Sequence, residues 1–167
     1  MVAGIHHHGW TDSYRGLLPD AYLDELDADA CRNRWVSALT DGTPLEILVA
    51  ELDGRVVGFV AAGPSNDPDA TVAGEIWDLW VAADARSRGV GSELLRVALD
   101  HLAERHPAAL VWVLGGNARG RTFYSRAGAV HDGMARTTPV TGGTMTDVRY
   151  LWDLRGHVPT LDHRDTR

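Results

Sequence analysis

The chain has 167 residues, of which 44% are hydrophobic, a formal net charge of −7, and sixteen basic residues that are all arginine. One domain fits that length, the acidic balance argues against a general nucleic-acid binder, and the single cysteine, Cys31, excludes an internal disulfide and a cysteine metal set. No run is apolar enough to span a membrane and no signal-peptide pattern is present, so a cytoplasmic protein without a metal is the expectation.

In chain order, a helix is expected over 3–16, with Ile5, Trp10 and Tyr14 on its apolar side and Gly16 and Pro19 ending it. His6, His7 and His8 point in different directions on a helix and read as a solvated face or a frayed terminus. A second helix is expected over 20–39, turning Leu23, Leu26, Ala30, Trp35, Val36 and Leu39 to the core. Residues 41–44 form a turn, 45–52 and 55–62 a hairpin about Asp53-Gly54, and 63–73 a loop. Residues 76–81 are rich in β-branched and aromatic types, as in a buried strand. After the glycine loop 86–91, Leu94, Leu95, Ala98, Leu99 and Leu102 recur at helical steps. His101, Arg105, His106 and Pro107 mark the end of that helix. A buried strand over 109–114 leads to Asn117, a helix cap, and to a short helix carrying Phe123 and Tyr124 that stops at Gly128. Strands at 134–138 and 146–154 meet at Gly142-Gly143. The domain is thus 1–154, and 155–167 is a polar tail.

Strand, glycine loop and helix together make an anion site. The first turn of a helix leaves N–H groups unpaired and carries partial positive charge. Gly89 and Gly91 let a phosphate approach the backbone, and Arg86 and Arg88 add full charges. The dinucleotide fingerprint is excluded because Leu94 stands where its third glycine belongs, and the triphosphate loop because the chain has no lysine. What remains is R-x-x-G-x-G, with Arg86, Gly89 and Gly91 at its fixed positions; taken alone, it also reads as a plain glycine turn at a helix start.

One helix and one strand later stands a second pattern, N-x-x-(A/G)-x-x-F-Y-x-x-x-G, on Asn117, Gly120, Phe123, Tyr124 and Gly128. The two motifs together, in this order, resemble the GCN5-related N-acetyltransferase superfamily over about 11–154. The resemblance implies an α/β (α+β) fold, with a mixed, mostly antiparallel sheet of about six strands flanked by about four helices. It implies acetyl-CoA as co-substrate. Leu79, Trp80 and Val81 correspond to the strand end whose backbone binds the pantetheine arm and the thioester carbonyl. Arg86, Ser87, Arg88, Gly89, Val90, Gly91 and Ser92 correspond to the pyrophosphate loop, Asn117 to a pantetheine contact, and Tyr124 to the general acid near sulfur. Tyr14, Arg15 and Tyr22 fall at a helix junction that covers the acceptor side in similar proteins.

The chemistry needs a neutral amine, donors where charge develops, and a proton for the departing thiolate. Glu75 and Asp78 on the central strand are the candidate bases; strand alternation puts them on opposite faces unless a bulge intervenes. Three departures from the family pattern stand out. Its first strand is missing here, which points either to a sheet edge that a homodimer would cover or to a misassigned start of the reading frame; Trp112 stands where some protein N-terminal acetyltransferases carry glutamate; and Ala129 replaces an aromatic. The expected activity is acetyl transfer to a primary amine of a small molecule or peptide in a ternary complex, without nucleic-acid or membrane partners. The competing readings are a non-catalytic acyl-CoA-binding module and a generic nucleotide-binding domain. Polyamine, aminoglycoside-like antibiotic, amino acid and peptide N-terminus all remain open as acceptor.

Overall fold

The computed structural model describes residues 1–40, 42, 44–70 and 72–157; positions 41 and 43 of the expected turn, 71 of the expected loop and 158–167 of the expected tail lie outside the described residues. The elements are α1 (Val2–Tyr14), α2 (Asp20–Asp24), α3 (Ala28–Thr40), β1 (Glu46–Leu52), β2 (Arg55–Pro64), β3 (Gly74–Val81), α4 (Val90–Ala103), β4 (Ala108–Leu114), α5 (Ala118–Arg126), β5 (Val130–Val140) and β6 (Gly143–Asp153). A single 3-10 turn, Ala83–Ala85, stands between β3 and α4. The six strands run in the order β1-β2-β3-β4-β6-β5. Only β3 and β4 pair in parallel; the other neighbours are antiparallel. The expected mixed, mostly antiparallel sheet is therefore met, with five helices in place of four.

The extra helix comes from a break in the expected 20–39 helix. The Asp27 carboxylate accepts the Asp29 N–H at 2.9 Å, which offers the backbone a cap in place of a continuing turn. The interruption resets the helical phase. Cys31, Trp35 and Ala38 face inward on α3, while Val36 and Leu39, expected in the core, are 53% and 66% exposed. The last two strands extend further than expected and form one long hairpin about Gly142, whose φ of 80° suits glycine. β5 and β1 are the sheet edges, and each has a single strand partner. Pro139 is tolerated on β5 because an edge strand need not donate on its free side.

Two apolar layers sandwich the sheet. On one face Leu94, Leu95, Ala98, Leu99 and Leu102 of α4 pack on Val60, Ile76, Val111, Tyr150 and Trp152. Burying each such leucine contributes roughly 1.5–3 kcal/mol. On the other face Trp35 packs on Phe59 and Ala61, with Trp77 and Trp80 beside them. α1 comes unusually close to β3: a Cβ added at Gly9 would stand 2.3 Å from Trp80 Cε3.

Two irregularities of β3 create the site. First, Ala62 pairs with Ile76 but Ala61 pairs with Asp78, so Trp77 is an extra, unopposed residue. Such a bulge shifts the side-chain alternation. Second, β3 and β4 pair only at Gly74↔Ala109 and Glu75↔Leu110 and then part. The wedge between them opens toward the start of α4 and the start of α5.

Candidate active site

The wedge continues into a cleft of about 1570 Å³, larger than the roughly 300–1,000 Å³ that holds a drug-sized ligand. It has room for a nucleotide-sized co-substrate and an acceptor together. Its walls come from α1, β3, the loop before α4, α4 itself, β4, α5 and the β5–β6 hairpin. Twelve of the residues singled out from sequence line it: Tyr14, Asp78, Leu79, Trp80, Val81 and Arg86 among them, together with Ser87, Gly89, Gly91, Ser92, Asn117 and Tyr124. Glu75, Arg88, Val90, Arg15 and Tyr22 are not part of its wall.

The loop before α4 is built from backbone conformation. Gly89 caps the helix with φ 85°, and no side chain caps it. Ser87 also has a positive φ, 60°, which costs a non-glycine residue roughly 1–2 kcal/mol. Arg86 holds this loop to the strand end: its Nε–H donates to the Val81 carbonyl at 2.9 Å and its Nη2 to Ser13 Oγ at 3.5 Å. Arg86 is thus an anchor of the loop more than a free cation. A Cβ at Gly91 would meet Val81, Leu79 and Phe123 at ordinary contact distances of 3.5–3.7 Å, so the fold itself does not demand glycine there. Gly91→Ala should therefore raise the melting temperature of the ligand-free protein, because alanine is better in a helix by up to about 1 kcal/mol. It should also abolish the acetyl-CoA-dependent rise in melting temperature; a variant that keeps that rise would show the glycine to be incidental.

Asn117 begins α5. Its Oδ1 accepts the Gly120 N–H at 2.8 Å, and Gly120 has no Cβ to collide with the folded-back amide. On the same helix Tyr124 stacks edge-on with Phe123 and Trp152 at 5.1 and 5.9 Å. Burial, with smaller contributions from Tyr14 and Asp78, pushes its phenol well above the ordinary value. Such a phenol keeps its proton at neutral pH. Burial also pushes Tyr14 up to about 12, opposed by the Asn117 side chain.

The bulge decides the carboxylates. Glu75 pairs with Gly63 and Asp78 with Ala61, so both lie on the α1 face, as the sequence allowed only with a bulge. Their surroundings differ. Glu75 is 4% exposed, lies behind the cleft wall and accepts from Ser65 Oγ at 2.9 Å. Burial raises its carboxyl above the ordinary range, with Ser65 opposing. Asp78 lines the cleft. Trp80 Nε1–H donates to its Oδ1 at 3.2 Å, His6 Nε2 stands 3.1 Å from the same oxygen, and Arg34 Nη2 stands 3.4 Å from Oδ2. His6 corrects the sequence expectation, since it is buried at 6% exposure instead of solvated. Arg15 is spent on Asp20 and Asp24 at 3.1 and 2.9 Å, and Tyr22 packs against the Leu18–Leu23–Leu114 cluster.

Several cleft residues are not read from the sequence as part of a site. Trp10, Trp77 and Trp112 line the wall, and their indole N–H groups are buried without a partner among the described residues. Leaving such a donor unpaired costs about 1–3 kcal/mol. Helical or strand period alone assigns these tryptophans to packing. Arg119 and Arg126 of α5, which carry no role in the sequence analysis, also line the cleft. Arg136 lies 4.5 Å over the Trp112 ring and pairs with Asp147 at 3.3 Å. Charges of both signs line the cleft: Arg86, Arg119 and Arg126 come from the loop before α4 and from α5, and Asp12, Asp78 and Asp147 from α1 and the sheet, where Arg136 pairs with Asp147.

A family model described as "Acetyltransferase (GNAT) family" matches residues 7–129. An Archaeoglobus fulgidus protein named "Uncharacterized N-acetyltransferase" is 35% identical over 119 residues, 70% of this chain and 78% of that protein. A mycothiol acetyltransferase of Acidimicrobium ferrooxidans is 34% identical over 112 residues, 66% of this chain but 32% of that longer protein. Among solved structures, the paia N-acetyltransferase of Thermoplasma acidophilum in complex with coenzyme A superposes with a TM-score of 0.65 at 16% identity, covering 90% of this chain and 89% of that one, a likeness of fold. The family match spans most of the chain, and its residues build the cleft described above: the chain belongs to the GNAT family of acetyltransferases.

Proposed function

We propose that this protein transfers an acetyl group from acetyl-CoA to a primary amine by direct attack within a ternary complex. The observation that carries the reading is the parting of β3 and β4 beyond Glu75. Both strands there leave backbone N–H and C=O groups without a strand partner on the inner side, and such groups need partners. An amide-bearing arm threaded into the wedge meets that need. The α4 start and the arginines of α5 fit a pyrophosphate, and Leu79, Trp80, Val81 and Asn117 fit the arm.

The co-substrate supplies an activated acetyl thioester. The chain's own residues then supply three things. Asp78 takes a proton from the acceptor ammonium and so frees its lone pair; Arg15 and Tyr22 take no part in this. The β3 backbone donors face the carbonyl oxygen on which charge develops. Tyr124 gives or shares a proton with the departing sulfur. One C–N bond forms and one C–S bond breaks; the first ammonium proton passes through Asp78 to solvent, and the second, lost by nitrogen as the amide forms, replaces the one that Tyr124 gave to sulfur.

The acceptor half of the cleft supports a more specific amine. Trp10, Tyr14, Trp77, Trp80 and Trp112 present rings, and Asp12 and Asp78 present carboxylates. A cationic amine on a planar or apolar body fits best. The test is an initial-rate panel with acetyl-CoA. Aryl-bearing primary amines should give kcat/KM at least about tenfold above polyamines and acidic amino acids, equivalent to about 1.4 kcal/mol. The reverse ranking would contradict the assignment of the acceptor.

A further inference from the structure

His6 is a buried titratable group to which the mechanism above gives no part. Its ring is boxed edge-on by Trp10, Trp35, Phe59 and Trp80, with centroids 5.6–6.3 Å away. A phenylalanine or leucine would fill such a box without bringing a polar group to be satisfied. The polar atoms of His6 are instead committed in a definite way. Trp35 Nε1–H donates to His6 Nδ1 at 3.2 Å. An indole can only donate, so Nδ1 must be the acceptor nitrogen and the ring hydrogen sits on Nε2. Cys31 Sγ lies 3.1 Å from the same Nδ1. Nε2 stands 3.1 Å from Asp78 Oδ1, a close contact too misaligned to be a hydrogen bond, and it has no hydrogen-bond partner among the described residues.

We infer that His6 is a positioning residue: held in one tautomer by Trp35, it lays its Nε2–H edge 3.1 Å from Asp78 Oδ1 and keeps that carboxylate in place for proton transfer from the acceptor amine. The inference rests on the reading of Asp78 given above. His6 is not itself the proton acceptor, because its only lone pair in the ring plane is taken by Trp35. Gly9 completes the device, since it lets α1 lie close enough to β3 for His6 to reach Asp78. The groups that face Asp78 are His6 and Tyr14 from α1, Cys31 and Arg34 from α3, Trp80 from its own strand and Tyr124 from α5.

Two readouts separate positioning from packing. In the first, a long-range proton–nitrogen correlation spectrum of the 15N-labelled protein is compared with that of His6→Gln, which identifies the His6 signals. The neutral Nε2–H tautomer is expected at neutral pH; the Nδ1–H tautomer or an imidazolium would overturn the inference. In the second, kcat and KM are compared. His6→Phe should lower kcat about tenfold and leave KM for acetyl-CoA unchanged. His6→Gln, which keeps a donor near Nε2, should restore most of the rate. Unchanged kcat in both variants would overturn the inference. If His6→Phe does not fold, His6→Gln, Trp35→Phe and the spectrum still decide it, since Trp35→Phe should release the tautomer. Asp78→Asn separates the two levels: full turnover in that variant removes the reading beneath, whereas an inactive Asp78→Asn beside unaffected His6 variants removes this inference alone.

Discussion

Asp78→Asn is expected to lower kcat by about 10²–10⁴-fold, the usual contribution of a positioned general base. The acetyl-CoA-dependent rise in melting temperature should persist, because Asp78 stands on the acceptor side of the wedge. The control is Glu75→Gln. Glu75 shares the strand face with Asp78 but lies behind the cleft wall, bonded to Ser65. Its replacement should leave kcat within about threefold, a change of less than about 1 kcal/mol in the barrier. Glu75→Gln carries a second signature in stability. The folded state raises the Glu75 carboxyl, mainly through burial. A raised acid favours the protonated form, so its ionisation costs stability as pH rises past its folded value. The variant should therefore match the wild type at acidic pH and gain on it toward neutral pH. A large loss of turnover in Glu75→Gln with full turnover in Asp78→Asn would reverse the two roles.

Arg149→Ala is expected to produce the largest stability loss in the molecule. Arg149 is 7% exposed and pairs with Asp67 at 2.8 Å and Asp132 at 2.7 Å. It ties the loop after β2 to β5 and β6, and it lies over Trp112 at 5.7 Å. Burial opposes the charge on Asp67 and on Asp132, but hydrogen bonds from Arg149 and from backbone N–H groups overcome it and hold both carboxyls below the usual range. Removing the cation leaves two half-desolvated anions. Breaking a buried pair in this way costs about 3–5 kcal/mol. For a chain of this size that is a fall in melting temperature of roughly 6–20 °C. Both acids are depressed in the fold, so their contribution is present above the ordinary carboxyl range and fades as pH falls through the folded values. The gap between variant and wild type should accordingly narrow in acid. A drop of less than about 2 °C at neutral pH, at most about 1 kcal/mol on the same scale, would contradict this role of the network.

The parts legible in the sequence are those in which one local rule governs. The α4 stripe follows a 3.6-residue period, and the glycine loop and the Asn117 cap are short motifs with a backbone reason behind each residue. β5 was only partly legible because it is exposed at every residue but the last, so no alternation marks its limits. The bulge at Trp77 leaves no sequence signal; it is a property of two strands in register, yet it puts Glu75 and Asp78 on one face. His6 is hidden for a similar reason. Its neighbours in sequence suggest a solvated run, but Trp35, Phe59 and Asp78 meet it only in the fold. The Asp27 break shows how one side chain can rotate the face of a helix thirteen residues long.

The central claim is that the wedge between β3 and β4 receives acetyl-CoA. Thermal unfolding of the full chain with acetyl-CoA, with ATP at the same concentration as control, tests it most directly. At about 100 times its dissociation constant a ligand adds about 2.7 kcal/mol, or roughly 5–10 °C for a domain of this length. The account predicts that rise with acetyl-CoA and little with ATP. No rise with acetyl-CoA, or an equal rise with ATP, would contradict it.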